Sequence, residues 1–313
     1  MPSLLHALKS KALIFLTLLS LLVLAGCGGS SAPASSGSTT GASSNADITI
    51  TVASKDDPEA QLLGQMYALL LTHAGYKVNQ KLKLGGNAIV FSAISSGAID
   101  VYPEFTATGL AKLGLKTSHN VQTDYQTVKD GYEKNYKITW LDLSPLNDTY
   151  GFCTSKANAD KYHLTKISDL APIASKLTLA TPPDGKTDPS VLPAVKPAYG
   201  FEFGKVNVLD AAITYEAVSQ GKADVNICYT TSALITKDNF VLLQDDKNLF
   251  PIYQPSPIIR DATLSKSPAI GTTLNKLAPL LTTSISSQLQ LQVLNGETVH
   301  DVAQKFLKDK GLL

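Results

Sequence analysis

Apolar and polar positions along this chain follow two periods in turn. Ile48, Ile50 and Val52 alternate with Thr49 and Thr51, the period-two pattern of a half-buried strand. Pro58 then opens a helical stripe through Leu62, Leu63, Met66, Leu69 and Leu70 that stops at Gly75; proline suits a first helical turn and glycine the exit. Residues 78–84 predict a strand, Gly85-Gly86 a turn, 88–96 a helix ended by Gly97, and 99–102 the next strand. Further helices are predicted over 125–135, 167–175 and 211–220. Further strands are predicted over 138–141, 150–154, 177–180, 224–229 and 240–244. The last third reads as helical and closes on an amphipathic helix over 298–310. Such alternation predicts α/β units around mostly parallel sheets.

The two halves share a phrase. Ser96-Gly97-Ala98-Ile99-Asp100-Val101-Tyr102 and Gln220-Gly221-Lys222-Ala223-Asp224-Val225 both read as helix end, glycine, short turn, aspartate and buried strand. Each delivers the next residues of the chain to the carboxyl end of a strand, where open α/β sheets bind ligands. Two such sheets facing each other predict a cleft.

The N-terminus carries an address. Lys9 and Lys11 precede an uncharged apolar run over 12–23, shorter than the roughly 20 residues a membrane span needs. It ends in Leu24-Ala25-Gly26-Cys27, which resembles a bacterial lipobox and implies cleavage before Cys27 with lipid attached to it. Residues 28–46 are mostly Gly, Ser, Ala and Thr, without charge, a flexible tether. The sequence thus predicts a lipoprotein signal peptide over 1–26, a tether over 27–46 and a folded part from 47 onward, lipid-anchored to the cell membrane and extracytoplasmic. In that compartment Cys153 and Cys228 could pair or stay as two buried thiols. Free thiols are the plainer reading.

Composition adds exclusions. The 313 residues carry 27 Lys+Arg against 26 Asp+Glu, which gives no reason to expect a nucleic-acid partner. Only Arg260 is an arginine, and there are 12 Tyr; arginine is the usual bidentate carboxylate clamp, and tyrosine faces hold cations. The five His residues (His6, His73, His119, His163, His300) lack zinc spacing, and no G-x-S-x-G or C-x-x-C occurs. Gly185-Lys186-Thr187 lacks the glycine of a phosphate loop, since Ala180 stands in its place. Asp56-Asp57 and Asp245-Asp246 read as solvated acids on loops. No catalytic, cofactor or metal site is expected.

Six ordered motifs carry a resemblance. Ser54-Lys55-Asp56-Asp57-Pro58-Glu59-Ala60, Leu84-Gly85-Gly86-Asn87, Tyr102-Pro103-Glu104-Phe105-Thr106-Ala107-Thr108 and Asn147-Asp148-Thr149-Tyr150 come first. Cys228-Tyr229-Thr230-Thr231 and the segment from Leu243 through Asp245-Asp246-Lys247 to Phe250-Pro251-Ile252-Tyr253 come after them. From Asp47 onward the chain resembles the substrate-binding proteins of ABC importers for glycine betaine, choline and carnitine. The resemblance implies a two-lobed fold of the type II periplasmic-binding-protein kind: two α/β sheets, a two-crossing hinge, and the ligand cleft between. Lobe one would comprise 47–147 plus 253–313, and lobe two 148–252. Partners implied are a small quaternary amine, an ABC permease and its ATPase, with the protein itself a monomer.

Carried over residue by residue, the family's aromatic cage falls on Phe105, Tyr150, Tyr229 and Tyr253. A quaternary ammonium donates no conventional hydrogen bond, so π faces are its natural partners. Among polar positions, Lys55, Thr108 and Asp148 match family motifs. The family's carboxylate-binding arginine corresponds to Asp188, and an acid there repels a carboxylate. The resemblance with this departure implies choline, with Asp188 accepting from its hydroxyl or pairing with Lys55. The alternative is glycine betaine or carnitine with Lys186 swinging in as a less exact clamp. A sensing lipoprotein and an exported hydrolase on a similar scaffold are the readings from other classes.

Overall fold

The computed structural model describes residues 45–313. The predicted signal peptide, Cys27 and nearly all of the tether lie outside the described residues.

Among the described residues, ten strands form two five-stranded sheets. The first contains β1 (Thr49–Ala53), β2 (Lys77–Lys81), β3 (Val101–Phe105), β4 (Ile138–Trp140) and β10 (Pro255–Arg260), in the order β2-β1-β3-β10-β4. The second contains β5 (Tyr150–Ser155), β6 (Thr178–Thr181), β7 (Lys205–Val208), β8 (Val225–Tyr229) and β9 (Phe240–Leu242), in the order β7-β6-β8-β5-β9. The chain crosses between the sheets twice, from β4 to β5 and from β9 to β10. This is the predicted two-lobed α/β architecture.

Both sheets are mixed, which corrects the expectation of mostly parallel ones. β1 pairs parallel with β2 and β3, and β6 with β7 and β8. β10 runs antiparallel to β3 and β4, and β5 to β8 and β9. The reason is connectivity. β5 and β10 are the strands the crossings reach, so no helical crossover within their own sheet sets their direction.

Helices α1 (Pro58–His73), α2 (Asn87–Ser96), α3 (Thr106–Lys112) and α4 (Val121–Tyr136) accompany the first strands. Between β5 and β9 lie α5 (Lys156–Tyr162), α6 (Pro183–Thr187), α7 (Leu192–Tyr199), α8 (Ala211–Ser219) and α9 (Ala233–Lys237). After β10 come α10 (Asp261–Leu264), α11 (Ala269–Asn275), α12 (Thr283–Leu294) and α13 (Val299–Asp309). Helix α1 begins where the sequence places it: Asp57 accepts from Ala60 N at 2.7 Å as the cap, with Pro58 in the first turn. Its Leu62, Leu63, Met66 and Leu70 are buried with Val302, Phe306 and Leu307 of α13 and with Ile50 and Val52 of β1. Each such side chain contributes about 1.5–3 kcal/mol by burial. A separate core in the second sheet gathers Phe152, Leu170, Leu179, Val225 and Ile227.

The shared phrase is a clamp between parallel strands. Asp100 accepts from Thr51 N at 2.8 Å through its carboxylate and donates its own N–H to Thr51 O at 2.8 Å. Asp224 does the same to Thr178, at 2.8 and 2.9 Å. Each aspartate locks the strand it opens against a central parallel neighbour, β3 on β1 and β8 on β6. Arg260 adds an ion pair to Asp100 at 3.4 Å, so the lone arginine is structural.

Two predicted elements differ. The helix expected over 167–175 is a pair of 3-10 turns, Ile167–Leu170 and Ala174–Lys176; Pro172 between them lacks the N–H that a continuous helix requires. The chain over 255–260 falls in the third expected to be helical, yet it is the strand β10, hidden by Pro255 and Pro257. The carbonyls of those prolines still accept from Ser144 and Leu141 N–H groups, both at 3.0 Å. Cys153 and Cys228 form a disulfide with their Cα atoms 5.8 Å apart, which overturns the reading as free thiols. They stand diagonally on the paired strands β5 and β8, where Cys153 faces Asn226 and Gly151 faces Cys228, within the span a disulfide bridges.

Candidate functional site

The predicted cage residues occupy strand ends and the second crossing. Tyr150 opens β5 and Tyr229 closes β8; they are register partners across the antiparallel pair. Their ring centroids lie 5.2 Å apart at an interplanar angle of 39°, and Phe250 flanks Tyr150 at 6.4 Å. Both tyrosines are half-buried. The disulfide lies just beneath, since Cys228 precedes Tyr229 and pairs in register with Gly151, the residue after Tyr150.

Tyr253 stands on the second crossing and is tied to the first. Its N–H donates to Asn147 Oδ1 at 2.8 Å, and its carbonyl accepts from Asp148 N at 3.0 Å. Its phenol is pushed up chiefly by burial, then by the nearby charges of Asp188 and Asp148. The two crossings are therefore hydrogen-bonded to each other at the residues the sequence singles out.

Phe105 closes β3 and is buried, and the Lys55 ammonium stands 4.9 Å from its ring centroid. Lys55 itself pairs with Glu104 Oε1 at 2.6 Å, both side chains almost fully buried. Glu104 is fully satisfied: Oε1 also accepts from Phe105 N at 2.8 Å, and Oε2 accepts from Tyr102 Oη at 2.8 Å. Thr108, in the first turn of α3, lines a cavity of about 260 Å³ with Asn87, Phe91, Glu104, Lys112 and Tyr132.

Asp148 accepts from Thr231 Oγ1 at 2.7 Å. Burial pushes its carboxyl up to about 6, with the Thr231 hydrogen bond opposing. Asp188 accepts from Ser190 N at 2.8 Å and Ser190 Oγ at 2.6 Å just past α6. The expected Lys55–Asp188 pair is not formed, because Lys55 is committed to Glu104 and Asp188 to Ser190. Lys186 is exposed and lines a groove on the second sheet's side with Leu192, Pro193, Phe201 and Phe203. It does not join the tyrosines.

Two acids inside the family motifs escape sequence reasoning as site residues: Glu104 and Glu59. The available signal is placement. Glu104 sits in a strand whose five positions are all buried, and Glu59 in a helix turn whose neighbours face the core. A buried charge needs a partner; Glu104 has one in Lys55, whereas Glu59 has neutral donors on one oxygen and none on the other. Among the described residues no group of three His, Cys, Asp or Glu is arranged to hold a metal, and no helix is long and apolar enough to cross a membrane.

The chemistry assembled is that of binding. Aromatic faces, one of them already occupied by an ammonium, and buried carboxylates favour a cation. Comparisons agree. The chain is 30% identical over 276 residues to the glycine betaine-binding protein YehZ of Escherichia coli, covering 84% of this chain and 90% of that one. It is 29% identical over 300 residues to the carnitine transport binding protein OpuCC of Listeria monocytogenes, covering 94% and 96%. The crystal structure of a glycine betaine/carnitine/choline ABC transporter protein superposes with a TM-score of 0.80 at 28% identity, over 84% of this chain and 99% of that one. Residues 48–309 match the family described as the substrate binding domain of ABC-type glycine betaine transport system. That match sets aside the exported hydrolase: the chain belongs to this family and is an extracytoplasmic substrate-binding protein of an ABC importer, not an enzyme.

Proposed function

We propose that this protein captures a quaternary amine in a cage of Phe105, Tyr150, Tyr229 and Tyr253 and hands it to the permease of an ATPase-driven importer, with choline preferred. Lobe one, 47–147 plus 253–313, and lobe two, 148–252, close on the ligand by bending at the two crossings. The protein acts as a monomer, held at the membrane by lipid on Cys27. At about 0.5–2 kcal/mol per aromatic face, four faces supply roughly 2–8 kcal/mol, against about 8 kcal/mol for micromolar binding.

The observation that carries the ligand choice is the state of the cations. A carboxylate-bearing ligand needs a free clamp, yet Lys55 is buried against Glu104, and the position expected to hold arginine is Asp188. The choline hydroxyl asks for an acceptor instead, and Asp188 and Asp148 both provide one. The second reading, glycine betaine or carnitine, is favoured by the ligands that the two relatives are named for, and it requires Lys186 to swing in from its exposed groove as the clamp. A thermal-shift panel tests the cage: choline, glycine betaine and carnitine against the neutral carbon isostere of choline. A ligand at 100 times its dissociation constant adds about 2.7 kcal/mol. Cations that stabilise where the isostere does not support the cage, and equal stabilisation by the isostere contradicts it.

A further inference from the structure

Glu59 is a carboxyl that cation binding as described leaves without a task. It lies in the first turn of α1 and is 4% exposed. Its Oε1 accepts from the Ser286 hydroxyl and from Gln290 Nε2 at 3.3 Å, both on α12. Its Oε2 is buried and meets no donor. The group that Glu59 faces is the carboxyl of Asp148, on the first crossing. Two ionised carboxylates are acceptors only, so side by side in a buried setting they repel and neither satisfies the other. One proton resolves both defects, making one carboxyl a donor and the other its acceptor.

We propose that Glu59 and Asp148 share a single proton where α1 meets the crossing between the two sheets, and that Glu59 is a positioning residue that sets the charge Asp148 presents to a bound cation. The second half rests on the cage reading, because Asp148 is tied to Tyr253 through the backbone.

The surroundings favour this arrangement. Asp57, the α1 cap, adds negative charge to both carboxyls, while Lys55 from the β1–α1 loop draws Asp148 the other way. Helix α12 brings only neutral groups, Ser286 and Gln290, and the segment after β8 brings Thr231. The phenols of Tyr253 and Tyr215 also feel Asp148, and Tyr253 feels Asp188 as well. Glu59 is raised by burial first and by the Asp148 charge second. Glu59 Oε2 meets no donor, as suits a protonated oxygen, while Asp148 already accepts from Thr231 Oγ1 at 2.7 Å, so the proton is assigned to Glu59 with Asp148 as its acceptor.

Two pH dependences result. A carboxyl raised in the folded state binds more protons there than in the unfolded chain. Its stabilisation is therefore complete below the unfolded value, about 4, and is lost as pH rises through the folded value, about 6 for Asp148. A cation beside Asp148 has the opposite preference: it binds best where Asp148 is ionised, so its affinity falls on acidification through the same range.

The test compares the wild-type chain with Glu59→Gln, whose amide donates to Asp148 permanently. Melting temperature without ligand and choline affinity by calorimetry are each measured from pH 4.5 to 8. The wild type should lose choline affinity about threefold or more between pH 7.5 and 5; Glu59→Gln, a neutral donor like the proton-bearing Glu59, should follow the same fall, whereas Glu59→Leu, which donates nothing, should raise the Asp148 titration and lose affinity from a higher pH. The ligand-free melting temperatures of the two should also diverge as pH rises, with Glu59→Gln falling less. Ligand-free melting profiles that superimpose for the wild type and Glu59→Gln, or a Glu59→Leu affinity profile that superimposes on the wild type, overturn the proposal. If choline binds at no pH, the choline reading fails while the ligand-free melting curves still decide the shared proton. Asp148→Asn supplies the same ligand-free comparison should Glu59→Gln not fold.

Discussion

The Lys55 ammonium and the Glu104 carboxylate meet at 2.6 Å, buried beneath the Phe105 ring. A lysine so placed is spent: its charge is neutralised, and it stands against an aromatic face that in the proposed site receives ligand. Breaking that pair from the acid side returns a free ammonium to the cleft. Glu104→Gln should therefore raise glycine betaine affinity relative to choline, by roughly tenfold (about 1.4 kcal/mol). It should also destabilise the protein, since an unpaired buried charge costs about 3–5 kcal/mol. Calorimetry with both ligands and a denaturant titration read the two effects. An unchanged ligand ratio would place Lys55 outside the reach of the ligand.

Asp188 supplies a second handle. Replacing it with arginine restores the bidentate donor that a carboxylate requires, at the loss of two hydrogen bonds to Ser190. Asp188→Arg should gain glycine betaine affinity by about tenfold and weaken choline. Dissociation constants for both ligands decide it, and no change in either would make Asp188 a loop residue only.

The tyrosine pair separates π face from hydroxyl. With rings 5.2 Å apart on paired strands, Tyr229→Ala should weaken choline binding by the worth of one face, about 0.5–2 kcal/mol, whereas Tyr229→Phe should stay within about twofold of the wild type. Equal losses in the two variants would point to the hydroxyl and against the cage.

The disulfide predicts a thiol count. The folded part should show no thiol that reacts before reduction, since Cys153 and Cys228 are joined. The Cys153→Ser, Cys228→Ser double variant should lose about 2–4 kcal/mol of stability. It should also lose choline affinity, because the bond underlies the Tyr150–Tyr229 pair. Thiol titration of the unreduced protein checks the first point, and chemical denaturation with calorimetry the others.

Much of this fold is legible in residue pattern because local signals coincide with tertiary need. Asp57-Pro58 begins α1 as a cap and first turn should, and Asp100 and Asp224 mark equivalent clamps in the two sheets. Elements that escape the pattern are decided by pairing at a distance. β10 hides behind two prolines because its place between β3 and β4 depends on partners far along the chain. The turns around Pro172 look helical because their apolar spacing matches a helix that proline cannot sustain. In the site, the aromatic positions can be read from motifs. The partners of Lys55 and Asp148 cannot, since Glu104 lies 49 residues beyond Lys55 and Glu59 reaches Asp148 only when α1 packs beside the crossing.

In the proposed function the cleft holds a cationic head without clamping a carboxylate. The most direct test is calorimetric titration of the mature protein with choline, glycine betaine and carnitine at one pH and ionic strength. Choline should bind tightest, glycine betaine and carnitine weaker by about tenfold or more (about 1.4 kcal/mol). Glycine betaine or carnitine binding as tightly as choline, or tighter, would contradict it.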